Sequence, residues 1–278
     1  MRPKPRYSIV TCVSNYDIYE KCLLKSLRLH DNNDNLYEVI PIDNRNNAYS
    51  ASEAYNLGLM IATSDIIINC HQDVSVLDDF FIKLDESILR IKDENWGVIG
   101  CSGVSIHDQQ NVGIVFNSFS SEDINQAIDK KMCYYEGIKS ITEVYSIDEC
   151  LFVIRKRQGI RFNDELRGFH LYGVDICLNY RANGYKVYAT ELPIIHYGEF
   201  SSSIIYDRSY WKAIKQTTEK WSSEYGTMIG TYASWLTTND CGREIISHIK
   251  TSTDAETFKA HIYRSSIKEI LKNDRHIH

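Results

Sequence analysis

No stretch of this 278-residue sequence approaches the run of about 20 uninterrupted apolar residues that a membrane-crossing helix needs. The opening residues, Met1-Arg2-Pro3-Lys4-Pro5-Arg6, are basic, but they lead into a short strand-like run instead of the apolar stretch of a signal peptide. The expected location is therefore the cytoplasm, extending to peripheral attachment at the inner face of the membrane. Excess positive charge is also missing. With 31 Lys and Arg against 37 Asp and Glu, the formal net charge is -6, so the chain lacks the broad basic face that displaces counterions from nucleic acid. An anionic small-molecule substrate would then need a metal ion or a local cationic group. The eight cysteines, Cys12, Cys22, Cys70, Cys101, Cys133, Cys150, Cys177 and Cys241, form no CxxC pair and no zinc-like cluster. Several sit in apolar runs, where free buried thiols are expected and a disulfide framework is not. Internal repeats are absent. Gly97, Gly100 and Gly103 do not make a GxGxxG pattern and no convincing helix follows them, so a dinucleotide site is not supported and close backbone turns are expected there.

What is present is the composition of a folded chain, 43% hydrophobic and 24% charged. The segment Tyr7-Ser8-Ile9-Val10-Thr11-Cys12-Val13 reads as a buried strand, followed by polar Ser14-Asn15. Ile18, Cys22, Leu23, Leu24 and Leu27 then recur at helical spacing from about Asp17 to Leu29. A second strand, Tyr37 to Ile42, a helix from Ala51 to Thr63 and a third strand, Ile66 to Cys70, complete a β-α-β-α-β order. Near-continuous apolar strands in that order predict an α/β fold with a mainly parallel sheet covered by helices on both faces.

A helix from Asp78 to Lys92 and a strand from Trp96 to Gly100 continue the pattern, and Ser102 to Ser140 is read as loops, short strands or an active-site cover. Ser146 to Ile154 reads as one strand, Asp175 to Asn183 as a helix with Gly184 at its C-terminal cap, and Lys186 to Ala189 as a further strand. Beyond Ser201 the pattern is mainly helical. The expected organisation is one domain over 1–200 and a helical extension over 201–278.

Open α/β sheets bind ligands outside the carboxyl ends of their strands. That places Ser14, Asn15, Asp43, Asn44, His71 and Asp73 at the expected site. The run Ile66-Ile67-Ile68-Asn69-Cys70-His71-Gln72-Asp73-Val74 is the most informative, because a buried strand ending in His-Gln-Asp delivers ionisable groups to the mouth of the sheet. A carboxylate there can hold a divalent metal against phosphates. A solvated strand end is the plain alternative.

The words Ile42-Asp43-Asn44, Ala54-Tyr55-Asn56-Leu57-Gly58 and Ala62-Thr63-Ser64-Asp65, followed by His71-Gln72-Asp73, resemble successive pieces of family 2 glycosyltransferases. The His-Gln-Asp-Val wording resembles a family 2-like group implicated in bacterial capsule synthesis. Further on, Arg161 to Leu166, Gly168 to Leu178, Gly184 to Val187 and Pro193 to Gly198 resemble the acceptor-side half of that family, so the likeness spans residues 7 to 200.

The resemblance implies a GT-A-like fold and an enzyme that moves a sugar from a nucleotide-diphosphate sugar to a saccharide or lipid-linked glycan hydroxyl. It implies Asp73 and His196 as ligands of Mn²⁺ or Mg²⁺, and a donor and nucleotide side made of Thr11, Ser14, Asn15, Asp43, Asn44, Asn56, His71 and Gln72. Asp175 takes the place of the general base of inverting relatives, and the same residue is suited to cap the helix it precedes. Asp148, Glu149 and His170 are acceptor-side candidates. Trp211 and Trp221 could stack on a sugar, with packing the favoured reading. A nucleotidyltransferase, a retaining glycosyltransferase and a catalytically silent glycan-binding protein stand as alternatives.

Overall fold

The computed structural model describes residues 4–30, 35–92, 94–107, 111–113, 116–118, 141–197, 212–213, 216–217, 219–221, 228–230 and 234–236. The first strand, β1 (Tyr7–Val13), is buried along almost its whole length. After it, α1 (Tyr16–Tyr19) runs through a π-helical stretch, Glu20–Leu24, into α2 (Lys25–Leu27). Asn15 starts this helix by accepting the Asp17 and Ile18 N–H groups on its side-chain oxygen. β2 (Tyr37–Asp43) pairs parallel with β1, and β3 (Ile66–Cys70) pairs parallel on the other side. Between them lies α3 (Ala51–Ile61), opened by a capping box in which Ser50 and Glu53 satisfy each other's backbone N–H. Then follow β4 (Val74–Val76), α4 (Phe80–Arg90), β5 (Trp96–Gly100), β6 (Ser102–Ser105), β7 (Asn111–Gly113) and β8 (Phe116–Ser118).

The run from Ser146 to Ile154 is two strands, β9 (Thr142–Ile147) and β10 (Leu151–Arg155), and not one. Asp148 breaks it: its side-chain oxygen accepts the Cys150 N–H, a local hydrogen bond that turns the backbone out of the extended state. The rest is α5 (Tyr172–Ala182), β11 (Lys186–Ala189), β12 (Ile194–Tyr197), and the paired β13 (Met228–Gly230) and β14 (Ser234–Leu236). The expected C-cap holds: Gly184 sits at φ +80, just beyond α5. The β13–β14 pair lies within the stretch expected to be a mainly helical extension. Trp211 falls outside the described residues.

The main sheet has nine strands in the order β2-β1-β3-β10-β5-β11-β9-β6-β7. Its first half is parallel as the β-α-β order predicts, and β10 enters antiparallel between β3 and β5, so the whole is a mixed sheet. Helices cover both faces. Val10, Ile67 and Phe152 pack with Tyr55 and Leu59 of α3 and Tyr172 and Ile176 of α5, while Ile9, Ile68 and Val153 pack with Leu23, Phe80 and Leu84 on the other side. Gly97, Gly100 and Gly103 lie within strands and not in turns. A Cβ on Gly103 would stand 2.5 Å from the Ser146 carbonyl oxygen, so these glycines permit close contact inside the sheet. Six cysteines are described and all are free thiols, five of them buried.

Asn56, expected on the donor side, is committed elsewhere. Its amide nitrogen donates to the Phe162 carbonyl at 2.9 Å and to Asp164, and its oxygen accepts the Phe162 N–H at 2.9 Å. Both ends of the amide therefore clamp α3 to the segment before α5. Asn56→Ala is expected to cost about 1–3 kcal/mol, because it leaves backbone groups at Phe162 unsatisfied. A urea-unfolding midpoint unchanged from wild type would rule out the clamp.

Candidate active site

The smaller sheet, β4-β12-β8, assembles the site. β12 pairs antiparallel with β4, which sets His196 opposite Val74 and hence beside Asp73, although the two are far apart in sequence. His71 follows β3 directly, its N–H bonded to the Cys150 carbonyl. Asp73 Oδ1 lies 3.9 Å from His71 Nδ1 and 3.5 Å from His196 Nε2. Ligand atoms of all three lie within 4.8 Å of one another. Nitrogen and oxygen ligands about 2.1 Å from a metal stand roughly 3.0–3.5 Å apart when adjacent, so a small contraction would close this cluster on a divalent cation. Two imidazoles and a carboxylate are also a suitable donor set.

The charges are arranged accordingly. Burial is the largest influence on Asp73 and opposes its ionisation, but the neighbouring His196 and His71 outweigh it and hold the carboxyl below its ordinary range. Burial likewise opposes protonation of His196, yet Asp73 and then Asp148 leave its pKa raised. At His71 burial prevails and the pKa is lowered. The second ring nitrogen of His71 lies 2.7 Å from the Tyr172 hydroxyl, which in turn donates to the Glu149 carbonyl. Such a second partner fixes ring orientation and tautomer at a metal site.

The donor-side residues divide. Gln72 ties the rim together: its oxygen accepts the Ser14 and Asn15 N–H groups and its amide donates to Ser14 Oγ. Asp43 is exposed at the end of β2, with Arg45 bound to both of its oxygens and lowering its pKa. Arg45 also lies over the Tyr16 ring at 5.1 Å, so a cationic group stands beside the Asp43 carboxylate. Asn44 is buried and closes its own loop through two hydrogen bonds with Tyr49. Thr11 is not at the rim: it is fully enclosed within β1, because the strand continues two residues beyond it.

On the acceptor side, the expected cap at Asp175 is corrected. α5 begins at Tyr172 after Leu171, which takes a left-handed φ of 59, so Asp175 lies inside the first turn. It is 1% exposed, and its carboxylate accepts from Lys220 Nζ at 2.9 and 3.0 Å and from Trp221 Nε1 at 2.7 Å. Trp221 is thus a buried anchor, as the packing reading expected. Asp148 is buried beside the histidines, and His170 is half-buried. Glu149 Oε1 accepts the Gly173 N–H at 2.7 Å. Tyr172, Lys220 and Arg45 were not singled out from the sequence. Only Tyr172 left a usable signal, standing three residues before Asp175 on one helix face.

The chain is thus a mixed, helix-covered sheet with a His-Asp-His cluster at its rim. The model of a family described as "Glycosyltransferase like family" matches residues 8–223, and the chain belongs to that family. A protein of Fuscovulum blasticum described as "ATP synthase subunits region ORF 6" is 24% identical over 238 residues, covering 80% of this chain and 90% of its own. GalNAc-T7, solved with UDP, GalNAc and Mn²⁺, superposes with a TM-score of 0.51 at 10% identity and shares the fold; the match covers 79% of this chain and 49% of that one. This chain therefore spans about half the length of that structure. TarS of S. aureus (residues 1–349) aligns at 13% identity over 93% of this chain and 69% of its own, with a TM-score of 0.47. No helix among the described residues is long and apolar enough to cross a membrane.

Proposed function

We propose that the chain transfers a sugar from a nucleotide-diphosphate sugar to a saccharide or lipid-linked glycan hydroxyl, with inversion at the anomeric carbon, in the synthesis of a surface polysaccharide. The observation that carries this reading is the His71, Asp73 and His196 cluster at the rim of a sheet in a glycosyltransferase-family chain. Charge on the departing diphosphate would be neutralised by a divalent cation held on these three side chains. The chain's own groups do the rest. Ser14, Asn15 and Gln72 form one bonded rim beside the cluster, and Asp43 with Arg45 offers a donor and an acceptor to a nucleoside. The attacking hydroxyl must lose a proton as it bonds to the anomeric carbon, and the carboxylates of Asp148, Glu149 and Asp175 are the candidates to take it. The resemblance in sequence supports inversion and the surface-glycan role.

Two imidazole nitrogens in the ligand set favour Mn²⁺ over Mg²⁺, which prefers an all-oxygen octahedron. Calorimetric titration is expected to give the lower Kd for Mn²⁺, and equal affinities would remove the histidines from the metal. The activity itself is tested by incubating the chain with UDP-, GDP- and dTDP-sugars in Mn²⁺. Release of free nucleoside diphosphate is expected. Pyrophosphate in its place would indicate nucleotidyl transfer, and neither product with no thermal shift would indicate a silent glycan-binding protein. Proton NMR of the product linkage distinguishes inversion from retention.

A further inference from the structure

We propose that Glu149, and not Asp175, takes the proton from the acceptor hydroxyl, while Asp175 moors the Lys220–Trp221 segment to α5. This rests on the glycosyl-transfer reading and identifies the group that completes it. A general base needs a lone pair that can reach the incoming hydroxyl. Asp175 offers none readily: three hydrogen bonds from Lys220 and Trp221 engage both of its oxygens, and the residue is 1% exposed. The Lys220 ammonium and the Trp221 indole N–H thus occupy the lone pairs that an incoming hydroxyl would need.

Glu149 is placed differently. Its Oε1 is fixed by the Gly173 N–H in the first turn of α5, and among the described residues Oε2 has no hydrogen-bond partner. Gly173 is required for this approach, because a Cβ there would stand 2.7 Å from Glu149 Cγ. The residue as a whole is half-buried. It also adjoins the metal cluster through one side chain, since the Tyr172 hydroxyl that meets His71 donates to the Glu149 carbonyl. In the step proposed, the acceptor oxygen bonds to the anomeric carbon as the bond from that carbon to the phosphate oxygen breaks. The electron pair leaves with the nucleoside diphosphate and the acceptor proton moves to Glu149 Oε2.

The surroundings also suit proton transfer near neutral pH. Burial is the largest influence on Glu149; the Gly173 N–H opposes it, the charge of Asp148 adds to it, and the carboxyl is raised to about 8. The other titratable groups around it are the Tyr55 and Tyr172 phenols and the Cys177 thiol, all of which stay neutral as burial raises them further.

The experiment compares wild type, E149Q and D175N in transfer, using the nucleotide sugar from which the wild-type chain releases nucleoside diphosphate. Wild-type kcat should rise with pH and level off above about 8. E149Q keeps the bond to Gly173 but cannot accept a proton, and should lose about 10²- to 10⁴-fold in kcat together with the pH limb. Its affinity for UDP with Mn²⁺ should stay within threefold of wild type. D175N should retain the limb and be cut faster by trypsin after Lys220. A second reading is independent of turnover. Because the folded carboxyl holds its proton from about 4.5 up to about 8 whereas the unfolded one does not, Glu149 costs stability as pH rises through that window. E149Q should therefore gain in Tm over wild type at pH 9 and not at pH 4. If E149Q transfers within tenfold of wild type and D175N is the variant that loses the limb, Asp175 is the base and the proposal is overturned. No nucleoside diphosphate from wild type overturns the transfer reading and Glu149 with it. Should E149Q fail to fold, Gly173→Ala, which displaces the Glu149 side chain, carries the same expectation for kcat.

Discussion

Asp73→Ala is expected to abolish measurable binding of Mn²⁺ and, with it, metal-dependent affinity for UDP. Asp73 is the single anionic member of the cluster, facing both imidazoles at 3.9 and 3.5 Å. Loss of a ligand's outer partner already costs about 10- to 100-fold in metal affinity, and loss of the charged ligand itself should exceed that. The fold should survive, because what anchors Asp73 is backbone: its carbonyl accepts the Tyr197 N–H at 2.9 Å, a bond the substitution leaves intact. His196→Ala should weaken binding by about tenfold less, since water replaces a neutral ligand more easily than a charged one. Electron paramagnetic resonance of free Mn²⁺ during titration would measure both. An Asp73→Ala chain that binds Mn²⁺ as wild type does would exclude the cluster as the metal site.

The second large effect concerns stability. Gly58 sits where α3 crosses β1, and a Cβ there would lie 2.1 Å from Val10 Cγ1, a stiff side chain in a central strand. Gly58→Val should therefore cost about 3 kcal/mol through overpacking, lowering Tm by roughly 10 °C for a chain of this size. Val10→Ala removes the atoms in conflict, so the double variant should be more stable than Gly58→Val alone. A double variant no better than the single one would show that the contact is not the cause.

Gly58 also shows what could be seen in the sequence and what could not. Its place in an Ala-x-Asn-x-Gly word was legible, and the word pointed to a helix under the site. That the neighbouring Asn56 serves as a clamp to Phe162 was not, because its partner lies 106 residues away and no periodicity encodes such a pair. The first three strands were legible because each is a short apolar run ended by polar residues. The corner at Asp148 was not, since Ser146 to Ile154 reads as one strand and only a side-chain bond to Cys150 turns the chain. His71, Asp73 and His196 come together through β4 and β12, which pair across more than a hundred residues. For His196 the resemblance to a family stood in for what the pattern alone lacked. The mooring of Asp175 by Lys220 and Trp221 had no such guide.

The antiparallel β10 also bears on how the chain is made. Val153 pairs with Ile68 on one side and Ile99 on the other, so β3 and β5 are never neighbours and each waits for a strand synthesised after both. Until residue 155 has left the ribosome, two buried apolar strands present unpaired edges, the arrangement most open to pairing with another chain. The nascent protein therefore passes through a stage in which its eventual sheet centre is its most adhesive surface. A chain stopped between β8 and β10 should accumulate as aggregate, whereas one that continues past β10 can close its sheet.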